Sequence, residues 1–123
     1  HVLELMGKPG PELLSAFRDL FARLVREDGR KQFLTYYFIA AHPGCTLEDM
    51  QSLKHFATKE LGMSPEQVQI FTPLPSTLSS VMYCTGRDLS GREVFVEKDP
   101  AARQRQKDVL TEKPPARMRR RRR

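Results

Sequence analysis

The sequence predicts an α/β fold in which parallel strands alternate with helices, and three observations predict it. Tyr36 to Ala41 form an unbroken apolar or aromatic run, too short to span a membrane and of the kind buried on both faces in a parallel sheet. Gln67-Val68-Gln69-Ile70-Phe71 reads as a second strand. Between them Leu47, Met50, Leu53, Ala57 and Leu61 recur at helical spacing. Strands joined through a helix of that length ordinarily lie parallel with a right-handed crossover.

The elements follow in order. Val2, Leu3, Leu5 and Met6 form a short apolar helical turn, and the abrupt start without methionine hints at a piece cut from something longer. Pro11 sits where a helix best tolerates proline, in the first turn. From there Leu13, Leu14, Phe17, Leu20, Phe21, Leu24 and Val25 make one broad apolar face, with Gly29 as the stop. Lys31 to Ala41 is the first strand. His42-Pro43-Gly44 ends it, because Pro43 lacks a backbone donor and Gly44 tolerates positive φ. Thr46 caps the next helix, with Asp49 completing a variant capping box, and Gly62 closes it near Leu61. The backbone donors at that helix start either hold an anion or polar group or simply make a connection.

After the second strand, Thr72-Pro73-Leu74-Pro75-Ser76 breaks the chain, Thr77 to Tyr83 forms a short helix and Gly86 closes it. Val94-Phe95-Val96 offers one weak strand, and Pro100 opens a last helix through Val109-Leu110. Past Lys113 disorder is expected. Pro114-Pro115 stop any helix, and the run Arg119 to Arg123 repels itself with nothing to bury.

At 123 residues with 39% apolar content, the chain holds one domain or part of one. Its formal charge is +6. Arg117, Arg119, Arg120, Arg121, Arg122 and Arg123 carry that excess, so the body is neutral. The arginine tail is either a solvated terminus or a contact for a polyanion such as RNA, since clustered arginines release counterions from phosphate. Cys45 and Cys84 are the only cysteines, too few to form the ligand set of a zinc site or an iron-sulfur cluster without ligands from elsewhere. Their number favours reduced thiols and a cytoplasmic setting. No signal peptide or membrane span is expected.

Phe38-Ile39-Ala40-Ala41-His42-Pro43-Gly44-Cys45-Thr46-Leu47-Glu48-Asp49-Met50 resembles the fifth strand and following turn of radical S-adenosylmethionine (SAM) enzymes. There, glycine, any residue, isoleucine, any residue and glycine lead into proline-glycine-x-threonine. Tyr37 and Ala41 stand here at the two glycine positions. Lys8-Pro9-Gly10, Lys31-Gln32, Gln67-Val68-Gln69, Phe71, Pro73, Pro75, Thr77, Met82-Tyr83 and Thr85-Gly86, in that order and spacing, extend the resemblance to the YgiQ-type subgroup over about residues 1 to 113.

The resemblance implies a fragment of a partial (β/α)6 TIM-like barrel: residues 1–98 as the C-terminal portion of the barrel, 99–113 as the helical start of a C-terminal extension, and 114–123 as the basic tail. It implies SAM and a [4Fe-4S] cluster as cofactors of the full-length parent. The cluster-binding CxxxCxxC is not in this chain, so the chain alone is expected to be inactive and to need the rest of the barrel as its partner. The superfamily chemistry is reductive cleavage of SAM to methionine and a 5′-deoxyadenosyl radical.

Barrel sites gather at the C-terminal strand ends, where the loops converge. Ile39, Ala41 and His42 end one strand, and Ile70, Phe71 and Pro73 end the next, so these six are the candidate cofactor wall. The resemblance places Ile39 on the adenine of SAM. Alternatives stay open residue by residue. Ile39 and Ile70 are also ordinary core types, and His42 is either a proton donor or substrate contact or a satisfied structural group. Cys45 is either activated by the helix start or a bland thiol. Two or three strands severed from a six-stranded sheet predict an unpaired edge and an uncovered barrel-facing apolar side, and with them marginal stability or self-association, or else a rearranged packing in which the first helix and the last segment cover that face.

Overall fold

The computed structural model describes residues 1–112. The sequence expectations for the arginine tail, Arg117 to Arg123, and for the segment 114–123 lie outside them. The order is α1 (Val2–Leu5), α2 (Pro11–Asp28), β1 (Tyr37–Ala40), α3 (Leu47–Lys59), β2 (Gln67–Ile70), α4 (Leu78–Thr85) and α5 (Pro100–Thr111).

β1 and β2 form a parallel two-stranded sheet in which Tyr37 pairs with Gln67, Phe38 with Val68, Ile39 with Gln69 and Ala40 with Ile70. The mixed α/β class and the parallel pairing are as the spacing predicts. With two strands among the described residues, a barrel is an expectation rather than an observed architecture.

Local chemistry sets the helix ends. Pro11 occupies the first turn of α2, and Gly29 ends it in the left-handed conformation. Thr46 and Asp49 form the reciprocal capping box of α3. Thr77 and Asp99 cap α4 and α5 through their side chains, accepting from Ser80 and Ala102.

One face of the sheet carries the core. Phe38, Ala40 and Val68 pack with Met50 and Ala57 of α3 and with Val109 and Leu110 of α5. α5 lies against both strands as well as α3, so the segment expected to begin an extension belongs to the same core as the strands.

Three expectations are corrected. The strand expected over Lys31 to Ala41 is only Tyr37–Ala40, because Lys31 to Thr35 have no neighbouring strand to bond. Burial on both faces fails too. Phe38 and Ala40 are buried, but Tyr37 is 59% exposed, because the helices packed on the strands cover only one side. Val94-Phe95-Val96 is not a strand: an isolated antiparallel bridge pairs Arg87 with Glu93 just before it, and the segment's own backbone bonds go to turns, Val94 N–H to Gly86 O and Phe95 O from Gly44 N–H.

The apolar face of α2 is the expected stripe without a cover. Leu13, Phe17, Leu20 and Leu24 are 43–57% exposed. Arg18 ties the helix to the body by donating from Nη1 to the Glu60 carbonyl at 2.7 Å.

Candidate functional site

The site begins with the chain leaving β1. Ala41 has φ 56°, a left-handed conformation that costs a residue with a Cβ of order 1 kcal/mol and persists only where the surroundings hold it. Gln106 of α5 holds it. This side chain is 2% exposed; its Oε1 accepts the Ala41 N–H at 2.9 Å and its Nε2 donates to the Cys45 carbonyl at 3.1 Å. Between those two bonds the chain turns, with Cys45 N–H donating to His42 O at 2.8 Å. Pro43 and Gly44, the latter at φ 85°, take the central positions, the pattern of a type II turn. The φ of Gly44 demands glycine there, and a Cβ would in addition push the tip of the Leu5 side chain of α1 aside.

His42 is 2% exposed, yet both ring nitrogens are partnered. Nδ1 lies 2.9 Å from the Pro43 carbonyl and Nε2 lies 2.7 Å from Ser79 Oγ of α4. Its ring meets Phe71 edge-on, with centroids 5.1 Å apart. Burial pushes the imidazole below its ordinary pKa, with the Pro43 bond pulling the other way. His42 is therefore neutral at pH 7.

At the C-terminal ends of the two strands lies a cleft of about 300 Å³. Ile39, Ile70 and Phe71 supply apolar wall, and Gln69, Thr72, Thr77, Ser79 and His42 supply polar groups, with Met6 and Lys8 reaching in from the N-terminal segment. The cleft thus gathers four of the six expected wall residues: Ile39, His42, Ile70 and Phe71. Ala41 and Pro73 do not line it. Ala41 is fully buried, turned inward by its left-handed backbone, and Pro73 is half-buried beyond β2.

A larger groove of about 800 Å³ runs beside β1 between α1, α2 and α3. Its lining is mostly apolar, including Leu13, Phe17, Tyr36, Leu53 and Phe56, and it borders the uncovered face of α2. We take the smaller cleft as the site, because polar groups converge there on a strand-end rim.

Two other readings are decided. The α3 start is not a vacant anion cradle: the Asp49 carboxylate accepts the Thr46 N–H at 2.8 Å and the Thr46 hydroxyl at 2.9 Å. Cys45 is not an activated thiol. Burial first, and the Asp49 charge second, push its pKa up to about 12.

Sequence reasoning missed three residues. Gln106 shapes the turn, Ser79 meets His42, and Arg103 of α5 donates from Nη2 to the Phe71 carbonyl while its guanidinium lies 5.6 Å from the Tyr83 ring centroid. Each acts across more than thirty positions of chain, so no local spacing marks them. Gln106 carried one faint signal, a neutral polar residue in register with the apolar pair Val109-Leu110.

No helix among the described residues is long and apolar enough to cross a membrane. No protein-family model matches the chain, and no solved structure matches it. Curated relatives do. The UPF0313 protein of Fusobacterium nucleatum subsp. nucleatum is 54% identical over 113 residues, covering 91% of this chain and 20% of that protein. That of Geobacter sulfurreducens is 43% identical over 111 residues, 89% of this chain and 18% of the relative. That of Methanosarcina acetivorans is 37% identical over 117 residues, 94% and 16% respectively. The chain therefore spans about a fifth or less of the length of the relatives it matches.

Proposed function

We propose that this chain, a segment of a UPF0313 family member, supplies part of the SAM-binding wall of a radical SAM enzyme, inactive without the rest of the parent. The observation that carries the reading is the strand-end cleft. Two parallel strands finish side by side, and Ile39, His42, Ile70 and Phe71 meet at their C-terminal ends. Apolar side chains with a few fixed polar groups suit a nucleoside, which needs a flat apolar contact and oriented hydrogen bonds. The Ala41 backbone adds support. The position where the radical SAM pattern has its second glycine is the one at φ 56°, a conformation glycine adopts without strain.

The residues present fit the two implied cofactors differently. Ile39, Ile70 and Phe71 would hold the adenosyl part of SAM, with Thr72 and Lys8 toward the polar end. SAM supplies the carbon–sulfur bond that is broken by one-electron reduction. A [4Fe-4S] cluster does not fit this chain. Cys45 is buried with a thiol held protonated, Cys84 is exposed on α4, and no three His, Cys, Asp or Glu side chains among the described residues could hold a metal. In this proposal the cluster belongs to the remainder of the parent, as does whatever covers the α2 face.

The test uses a whole relative. The UPF0313 protein of Fusobacterium nucleatum, reconstituted anaerobically with iron and sulfide and then reduced, should convert SAM to 5′-deoxyadenosine and methionine. A cluster-loaded preparation that leaves SAM intact refutes the proposal. For this chain, titration with SAM should shift the backbone amide resonances of Ile39 and Phe71.

A further inference from the structure

His42 and Ser79 form a polar pair to which the nucleoside reading assigns no task. The tautomer follows from the partners. The Pro43 carbonyl can only accept, so Nδ1 at 2.9 Å carries the hydrogen. In the neutral ring, Nε2 is then an acceptor, and the bond at 2.7 Å is donated by the Ser79 hydroxyl. A hydroxyl has one hydrogen. With that hydrogen committed to His42, Ser79 Oγ presents only lone pairs elsewhere, and both residues line the cleft.

The pair is rigidly held. His42 is fixed by the turn behind it and by the edge of Phe71, and Ser79 sits in the first turn of α4 beside the capping residue Thr77. We propose that Ser79 Oγ is a specificity-determining acceptor that takes one N–H or O–H from the bound nucleoside, with His42 as its positioning residue. This rests on the nucleoside reading and deepens it. A ligand atom presenting lone pairs at that point would meet lone pairs, and a ligand without a donor would leave Ser79 with an unused acceptor, so donors are selected.

The experiment pairs variants with ligand analogues on the 123-residue chain. Binding of adenosine, purine riboside (which lacks the 6-amino group), 2′-deoxyadenosine and 3′-deoxyadenosine is measured for the wild type, Ser79→Ala and Ser79→Thr. Each analogue removes one donor. Ser79→Ala should bind adenosine about tenfold more weakly, the scale of one lost hydrogen bond. One of the three analogues should lose about the same factor on the wild type and nothing further on Ser79→Ala. Ser79→Thr, which keeps the hydroxyl, should bind adenosine within about twofold of the wild type. Imidazole nitrogen-15 shifts of His42 should report hydrogen on Nδ1 and none on Nε2.

Equal adenosine binding by Ser79→Ala overturns the assignment while leaving the nucleoside reading standing. So does a result in which all three donor deletions cost the same in both backgrounds, or an imidazole protonated on Nε2. Failure of the wild type to bind either adenosine or SAM overturns the nucleoside reading itself, and this assignment with it.

Discussion

Replacing Gln106 should cost more stability than any exposed substitution, because its one side chain satisfies two buried backbone groups. It joins the Ala41 N–H to the Cys45 carbonyl, and Ala41 and Cys45 are 0% and 3% exposed. Gln106→Leu keeps most of the volume and strands both groups. Each stranded buried group costs about 1–3 kcal/mol, so the loss is about 2–6 kcal/mol, against a total stability of order 5–15 kcal/mol for a small domain. Gln106→Ala opens space in which a water can bridge the two groups, so its loss should be the smaller of the two. Gln104→Ala is the control: its bond to Asp108 is exposed, and its removal should stay within about 0.5 kcal/mol. Urea unfolding followed by far-ultraviolet circular dichroism measures all three. A Gln106→Leu midpoint matching that of Gln104→Ala would refute the reasoning, because the turn would then hold its shape without the side chain.

Three further outcomes are expected. The folded state holds the His42 pKa below the unfolded value of about 6.5, so the unfolded chain binds more protons as the pH falls through that value. Stability should therefore decline from pH 7 toward pH 5, and a urea midpoint that is flat over that range would contradict a buried neutral ring. With Cys84 exposed and the Cys45 thiol pushed up to about 12, a disulfide exchange reagent at pH 8 should titrate one thiol in the folded chain and the second only in denaturant. Phe17→Glu with Leu20→Glu should reduce self-association in sedimentation velocity without lowering the unfolding midpoint, since both side chains are about half exposed on the uncovered face of α2.

What could be read from the sequence follows the range of the interactions. The ends of α2, α3, α4 and α5 were legible because Pro11, Gly29, Thr46 with Asp49, Thr77, Gly86 and Pro100 act within a few residues of themselves. The parallel pairing of β1 and β2 was legible because the crossover geometry leaves little choice. Strand length and two-sided burial were not, since both depend on which neighbours a strand finds. Val94-Phe95-Val96 had strand-like composition but no partner strand, and the composition did not reveal that. At the cleft, the apolar wall of Ile39, Ile70 and Phe71 could be read from the strand ends and the resemblance. Ser79 and Gln106 could not, because their roles come from approaches across 37 and 65 positions of chain.

The Gln106 bridge also means that the rim and the last helix share one free-energy balance. A molecule that grips the cleft more tightly when the 41–45 turn is in its bridged shape must, by reciprocity, hold α5 more firmly on the sheet. Slower exchange of α5 amide hydrogens would then report occupancy of a cleft that the helix never lines.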